Sequence, residues 1–209
     1  MRLSSFFVSS ILVPMILSGL TVSAHALLQD NGDGTITQLR NDSSKLLWLQ
    51  DANTTGEMDF FAAYDWINAL SYAGYDDWRL PSSLNSDGSG PCGFAVNCTD
   101  SEMGYMYYIE LGNTAGAGGF TNMGDFQNLQ PDAYWSETLF DTDPDLHWVF
   151  VFRDGGQTVD DTISINYAWA VRDCPECTIA VVPEPISSTL FIVGGATLGF
   201  RRFRKKFKK

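Results

Sequence analysis

The two ends of this 209-residue chain differ so much in composition from the middle that they confine the folded body to the residues between them. Near the C-terminus, the uncharged stretch 186–200 is shorter than the roughly 20 apolar residues of a full transmembrane helix. Basic side chains that snorkel to the interface can still hold such a stretch in a membrane, and they tend to stay cytoplasmic. The basic stop that follows includes Arg201, Arg202, Arg204, Lys205 and Lys206.

A short motif, Pro183-Glu184-Pro185, precedes the apolar stretch. Motif, glycine-containing apolar segment and basic end, in this order, closely resemble the PEP-CTERM sorting signal of Gram-negative bacteria. The resemblance implies processing of segment 183–209 by an exosortase-type membrane peptidase, and delivery to the cell surface or extracellular matrix beside an extracellular polysaccharide. The alternative is an ordinary C-terminal membrane anchor.

The N-terminus has the composition of a secretory signal peptide. Arg2 supplies a positive start, residues 6–20 are mostly apolar, and Ala24-His25-Ala26 is a small-x-small cleavage site. We expect cleavage after Ala26. The body then runs over residues 27–182 and comprises a single domain over 27–173 followed by a linker over 174–182.

The body is strongly acidic. Of 13 basic residues, one lies in the signal and seven in the tail, which leaves five, and 24 of the 25 acidic residues remain, so the formal charge is 5 − 24 = −19. The negative electrostatic field of such a charge opposes the binding of nucleic acid and anionic lipid, and it favours the binding of cations or neutral ligands. The alternative is that the acidic residues form an ordinary solvated surface without a specific ligand.

Four cysteines lie in the exported part, where an oxidising compartment favours disulfides. Four cysteines allow three connectivities, and sequence proximity favours Cys92 with Cys98 and Cys174 with Cys177.

The first half of the body predicts two strands and two helices. Thr35-Ile36-Thr37 follows a turn-rich segment, and Leu46-Leu47-Trp48-Leu49 is typical of a buried strand. Two apolar stripes with helical spacing follow, each with a candidate capping box, Thr54 with Glu57 and Thr99 with Glu102. The first stripe comprises Met58, Phe61, Ala62, Trp66, Ala69, Leu70 and Ala73 and stops at Gly74; the second comprises Met103, Met106, Tyr107 and Leu111 and stops at Gly112.

The last third predicts antiparallel strands after a glycine-rich loop over 113–122. We expect strands at 133–136, 148–152, 161–165 and 167–172, with a hairpin turn at Asp154-Gly155-Gly156. Helices early and strands late argue for an α+β domain.

Several elements of the body occur in a characteristic order: 31–37, Leu47-Trp48-Leu49-Gln50, Gly74 through Trp78-Arg79-Leu80-Pro81, Tyr134-Trp135-Ser136 and Ala168-Trp169-Ala170-Val171-Arg172. In this order they resemble the Lcl C-terminal domain of a collagen-like adhesin. The resemblance covers roughly residues 30–172 and implies a C-type-lectin-like α+β fold related to formylglycine-generating enzymes, with sulfated-glycan binding in the adhesin. The body's charge of −19 disfavours a sulfated ligand, because sulfate groups are normally recognised by Arg and Lys side chains.

These matched residues suit a structural role. Trp78, Trp135 and Trp169 would each bury a large area in a core. Arg79 and Arg172 are two of five body cations among 24 acids, so we expect each to pair with carboxylates and hold strands or loops together.

Candidate catalytic groups are few. His147 is the single histidine of the body, expected at a strand edge, and the chain has no Gly-x-Ser-x-Gly elbow. Cys174-Pro175-Glu176-Cys177 follows a predicted strand, whereas a redox pair begins a helix, so a structural disulfide is favoured. A secreted hydrolase or thiol-redox enzyme on a formylglycine-generating-enzyme-like fold stays the alternative to a binding module.

Two weaker signals concern ligands. Asp141, Asp143 and Asp145 are spaced as a calcium loop begins, but Leu146 and Phe152 occupy the positions of the EF-hand Gly and Glu. We therefore predict no metal ligands and no cofactor, with calcium as the open alternative. Tyr105, Tyr107 and Tyr108 could stack on sugar rings. We predict a non-enzymatic, polysaccharide-associated binding or structural protein that binds no nucleic acid.

Overall fold

The structure is a computed structural model that describes residues 27–141 and 143–179. The predicted signal peptide and the sorting segment 183–209 lie outside the described residues, as do residues 180–182 of the linker. The described residues form a small α+β domain of two sheets and two helices, mostly antiparallel, as the sequence predicted. None of the helices in these two ranges is long and apolar enough to cross a membrane.

A four-stranded antiparallel sheet joins both ends of the domain. Its order is β1 (Leu27–Asp30), β2 (Thr35–Leu39), β3 (Lys45–Leu49) and β9 (Val171–Asp173). Ile36 pairs with Trp48 and Trp48 with Val171, and all three are fully buried. These three residues share one face of the sheet, and Thr37 and Leu47, which alternate with them, lie on the other face and are also buried.

Helix α1 (Phe60–Ala69) buries a different face from the predicted one. Its buried residues are Phe60, Ala63 and Ile67, whereas Phe61 and Ala62 of the predicted stripe are exposed and Trp66 is half-buried. The predicted capping box and the stop at Gly74 are also wrong. Asp59 caps the helix by accepting the Ala62 N–H, and Leu70 ends it. Thr54 and Glu57 precede it, and Glu57–Met58 forms the short strand β4.

Helix α2 (Glu102–Tyr105) continues as a π-helical turn over Met106–Glu110. The predicted apolar stripe is confirmed, since its four members are buried. The N-cap is Ser101, whose hydroxyl accepts the Gly104 N–H, so the predicted cap at Thr99 is wrong by two residues.

The second sheet has the order β4, β8 (Asn166–Tyr167), β5 (Ala133–Phe140), β6 (Asp143–Val151) and β7 (Gly156–Asp161). The strands predicted at 133–136 and 148–152 lie within or overlap β5 and β6, and the predicted hairpin turn connects β6 to β7. No strand covers 161–165, because Thr162 to Ser164 turn back on Asp161 and Asp145. The predicted strand 167–172 divides into β8 and β9, which belong to different sheets.

One hydrophobic core joins both sheets and both helices. Trp48 and Trp169 pack with ring centroids 4.5 Å apart, and Phe126 meets Trp169 edge to face at 4.8 Å. The Trp169 Nε1 donates to the Leu49 carbonyl at 2.7 Å, which satisfies a polar group inside the core.

Candidate functional site

The outer face of the four-stranded sheet carries a polar cleft. The sheet register aligns Gln29, Thr37, Leu47 and Arg172 in one row across the four strands. This row lies on the opposite face from Ile36 and Trp48, because side chains alternate. Thr37, Leu47 and Arg172 of this row are themselves buried, so other segments cover this face, and the cleft lies between those segments and the side chains of Gln29 and Thr37.

The turn between β1 and β2 is fixed by its own side chains. Asp33 Oδ1 accepts hydrogen bonds from the Thr35 N–H at 3.0 Å and the Thr35 hydroxyl at 2.6 Å. The Asn31 Nδ2 donates to the hydroxyls of Thr35 at 2.9 Å and Thr37 at 3.0 Å. Gly34 takes a positive φ of 85°, a conformation that costs glycine nothing. Amide, hydroxyl and carboxylate groups are thus held at the cleft in one ordered network.

Tyr75 forms an aromatic part of the lining. The Arg172 guanidinium carbon lies 4.0 Å from the centroid of the Tyr75 ring. Both oxygens of Asp77 hold the same guanidinium, at 2.6 and 2.9 Å, and Glu176 accepts from its Nη1 at 2.8 Å. The hydrogen bond from Arg172 lowers the pKa of Asp77, so the pair stays charged. The predicted pairing of Arg172 with carboxylates is confirmed, and it orients the Tyr75 ring.

A disulfide fixes the remaining part of the lining. Cys174 is bonded to Cys177, as sequence proximity favoured, and the Cys174 N–H donates to the Lys45 carbonyl at 2.9 Å. The Lys45 ammonium donates to the Cys177 carbonyl at 2.6 Å. These contacts tie the segment that carries Glu176 and Thr178 to strand β3.

The resulting cleft has a volume of about 320 Å³. This is at the lower end of the range of small-ligand sites. None of the described residues that line it is Lys or Arg. The lining residues are Gln29, Asn31, Asp33, Thr35, Thr37, Leu47, Tyr75, Glu176, Cys177 and Thr178.

The predicted tryptophans lie in the core rather than at the cleft. Trp78, Trp135 and Trp169 are all buried, as are Leu80 and Pro81 of the same motif. The Trp135 Nε1 donates to the Met58 carbonyl at 2.9 Å, which ties β5 to the segment before α1. The predicted structural role of these residues is consistent with this burial.

Arg79 also pairs with carboxylates, as predicted. It forms a fork with Glu102 and contacts Asp173 at 3.1 Å and Glu137 at 3.9 Å. Burial works against its charge, but the hydrogen bond and charge of Glu102 outweigh it and raise the Arg79 pKa. Burial raises the pKa of Glu137, although Arg79 opposes the shift.

His147 is buried on the interior strand β6, so its predicted position at a strand edge is wrong. Its ring lies flat on Phe60, with centroids 3.5 Å apart, and its Nδ1 makes no hydrogen bond among the described residues. Burial lowers the His147 pKa, against a hydrogen bond to the Ser136 backbone. This surrounding suits packing of a neutral ring.

The other predicted ligand groups lie elsewhere. Cys92 is bonded to Cys98, also as favoured by proximity. At the start of strand β6, Asp143 Oδ1 accepts a hydrogen bond from the Asp145 N–H at 3.1 Å. Within residues 27–141 and 143–179 no three or more His, Cys, Asp or Glu side chains are grouped to hold a metal ion. Tyr105 and Tyr107 are buried and Tyr108 is half-buried.

The sequence analysis did not assign the cleft residues to a site. Asn31 and Asp33 were expected only as turn formers, and Thr35 and Thr37 only as strand residues. The available signal was the alternation Thr35-Ile36-Thr37, which places both hydroxyls on one face beside the Asn31 turn.

No protein-family model matches this chain, and no curated protein matches it either.

Proposed function

We propose that this chain is an exported, non-enzymatic module that binds a neutral extracellular polysaccharide at the polar cleft. The observation that carries the proposal is the lining of the cleft, where Asn31, Asp33 and Glu176 lie beside the ring of Tyr75. Amides can donate hydrogen bonds to sugar hydroxyls or accept hydrogen bonds from them, and ionised carboxylates can accept hydrogen bonds from them. An aromatic ring offers an apolar surface for the C–H face of a sugar.

Charge favours a neutral ligand over a sulfated or phosphorylated one. Arg172, the cation nearest to Tyr75 on this face, is already engaged by Asp77 and Glu176. A new anion would have to compete with both carboxylates, within a body whose formal charge is −19. A neutral polyol meets neither obstacle.

The finer fold and the destination belong to the same proposal. We place the domain with C-type-lectin-like folds of the Lcl C-terminal type, on the support of the motif around Trp78 and Arg79 and of the final Val171-Arg172. Pro183-Glu184-Pro185 and its basic end support sorting by an exosortase-type peptidase. The two disulfides are compatible with an extracellular or periplasmic protein.

Binding is tested with polysaccharide from the producing cells, separated by anion exchange into neutral and acidic fractions and immobilised. The neutral fraction should retain the body and the acidic fraction should not, with or without calcium. Asp33→Ala should weaken retention, whereas Asp87→Ala should not. The two variants are matched, since each aspartate accepts the backbone N–H two residues along an exposed or half-exposed turn. No retention of the wild type on either fraction would refute the proposed function.

Sorting is tested by the intact mass of the protein from the medium and envelope of the producing cells. Loss of the tail near Pro183 to Pro185 supports sorting. A mass that includes Lys209 would instead indicate a plain membrane anchor.

A further inference from the structure

Three Asn-x-Ser/Thr triplets, the acceptor sequence of N-linked glycosylation, occur in the chain, and all three fall within the described residues. In an exported protein such a triplet on a surface loop marks a place where a glycan can be attached covalently. The triplets differ in how accessible their backbone and side chains are. They are Asn41-Asp42-Ser43, Asn53-Thr54-Thr55 and Asn97-Cys98-Thr99.

The Asn53 triplet lies in a turn between β3 and β4, and this turn holds the asparagine amide by its oxygen. Asp51 Oδ1 accepts the Asn53 N–H at 2.9 Å, and Asn53 Oδ1 accepts the Gly56 N–H at 2.9 Å. Side-chain bonds of this kind fix turns. The Asn53 Nδ2, which is the atom that N-linked glycosylation modifies, makes no hydrogen bond among the described residues.

The surface around this turn is open. Thr54 and Thr55 are both exposed, and a methyl group added at Gly56 would meet no atom within 4 Å. Asn53 itself is half-buried, with its Oδ1 turned to the backbone of Gly56. The turn therefore presents the first and third positions of the triplet to a partner without a neighbouring segment in the way.

The other two triplets are less accessible. Asn97 has a positive φ of 65°, and Cys98 is 3% exposed and bonded to Cys92. Ser43 has a φ of 70°, and its N–H donates to the Arg40 carbonyl at 2.9 Å. A transferase must contact the backbone on both sides of the asparagine. A left-handed residue or a buried, cross-linked middle position resists this contact, since few side chains adopt such a backbone freely.

We propose that Asn53 is a site of N-linked glycosylation, with an oligosaccharide on a polyisoprenyl diphosphate as the co-substrate. A bond forms between the Asn53 Nδ2 and the anomeric carbon of the sugar, and the bond from that carbon to the diphosphate oxygen breaks. The lipid diphosphate leaves with the electron pair of the broken bond, and Nδ2 loses one proton to a base of the enzyme. This inference rests on the export part of the proposed function and not on the polar cleft.

Trypsin separates the three triplets, so the test reads each one alone. Cleavage after Arg40, Lys45, Arg79 and Arg153 places them on the peptides 41–45, 46–79 and 80–153. The protein is taken from the medium and envelope of the producing cells, reduced, digested and weighed. We expect the peptide 46–79 to carry the added mass of a glycan and the other two peptides to have the masses of their sequences.

Thr54 and Thr55 supply a matched pair of variants. Thr55→Ala removes the hydroxyl at the third position and should abolish the added mass, whereas Thr54→Ala changes the middle position and should leave it. Both side chains are exposed, and neither change removes the two hydrogen bonds of Asn53, so both variants keep the turn. Asn53→Gln should abolish the added mass as well.

Several results would overturn the inference. The wild-type peptide 46–79 with the mass of its sequence alone would do so. Added mass that persists in Thr55→Ala or in Asn53→Gln would place the modification on another side chain, and added mass found only on the peptides 41–45 or 80–153 would exclude Asn53. These readings do not use retention on polysaccharide, so a failure of the cleft and a failure of glycosylation are seen separately.

Discussion

Glu102 holds Arg79 with both of its carboxylate oxygens, with Nη1–Oε2 at 2.8 Å and Nη2–Oε1 at 2.6 Å. Glu102 also accepts the Ser82 N–H at 2.7 Å, and the Arg79 backbone pairs with Val171 in both directions. The fork therefore ties the first turn of α2 to the last strand of the four-stranded sheet. Planar, bidentate pairing of this kind requires the guanidinium of arginine.

Removal of Arg79 should be strongly destabilising. Arg79→Ala leaves the buried Glu102 carboxylate without its cation, so we expect a loss of about 3 kcal/mol in the free energy of unfolding. Urea denaturation measures the loss. Arg153→Ala is the matched control, because Arg153 is exposed and pairs with Asp154 at 3.5 Å, and it should change stability by at most about 0.5 kcal/mol. Equal effects of the two variants would contradict the structural role of Arg79.

The phase of helix α1 is tested by two adjacent phenylalanines. Phe60→Ala should cost about 3–5 kcal/mol, since it opens a cavity against His147 and Trp135. Phe61→Ala should cost at most about 0.5 kcal/mol, because that ring is exposed. Thermal or urea unfolding compares them directly. If Phe61→Ala destabilised the protein more than Phe60→Ala, the apolar stripe predicted from the sequence would be the buried face instead.

Stability should depend on the ionisation of Glu110. Burial raises the pKa of this carboxyl from its ordinary value of 4.5 to about 7. The hydrogen bond that it accepts from Gln38, at 3.2 Å, opposes this shift. The folded state therefore binds the proton more tightly than the unfolded state. The contribution is fully present below pH 4.5 and is lost as the pH rises through about 7.

Glu110→Gln should remove this slope between pH 4.5 and 7. Subtracting the variant's unfolding profile from the wild type's cancels other groups, including His147, whose lowered pKa gives the opposite slope below 6.5. A wild-type slope that persists in Glu110→Gln would contradict the assignment.

The two disulfides should differ in function more than in stability. Each closes a short loop, so replacing either pair by serine should cost about 2 kcal/mol in the chain-entropy model. Cys174→Ser with Cys177→Ser should also weaken retention on the neutral fraction, since Glu176 is carried by that loop. Cys92→Ser with Cys98→Ser should leave retention unchanged. Equal retention in the two double variants would show that the loop does not shape the cleft.

The parts of the fold that periodicity predicted are those where one face alone is apolar. The stripe of Met103, Met106, Tyr107 and Leu111 offers one apolar face, and its burial is predicted correctly. Helix α1 is apolar on more than one side, so periodicity could not choose between Phe60 and Phe61. The choice is made by a long-range partner, His147, whose ring receives Phe60.

The cleft was beyond sequence reasoning for a related physical reason. Asn31, Tyr75 and Glu176 come from three separate segments, and none belongs to a local motif with known chemistry. They meet because strand β9 pairs with β3 and because Arg172 forms ion pairs with Asp77 and Glu176. The pairing of Arg172 with carboxylates is predictable from the sequence, but the identity of these carboxylates and the cleft that they help to form are not.

The strand order of the four-stranded sheet has a consequence for the timing of folding. Strands β1 and β9 are its two edges, so the first and last strands of the domain complete one sheet. A chain that emerges N-terminus first cannot pair β3 with residues 171–173 until almost the whole body is available. Arg172 reaches Tyr75 and Asp77 only at that moment. The cleft is thus completed only after strand β9 has paired with β3, and a chain that still lacks residues 171–173 at the sheet has an incomplete cleft lining.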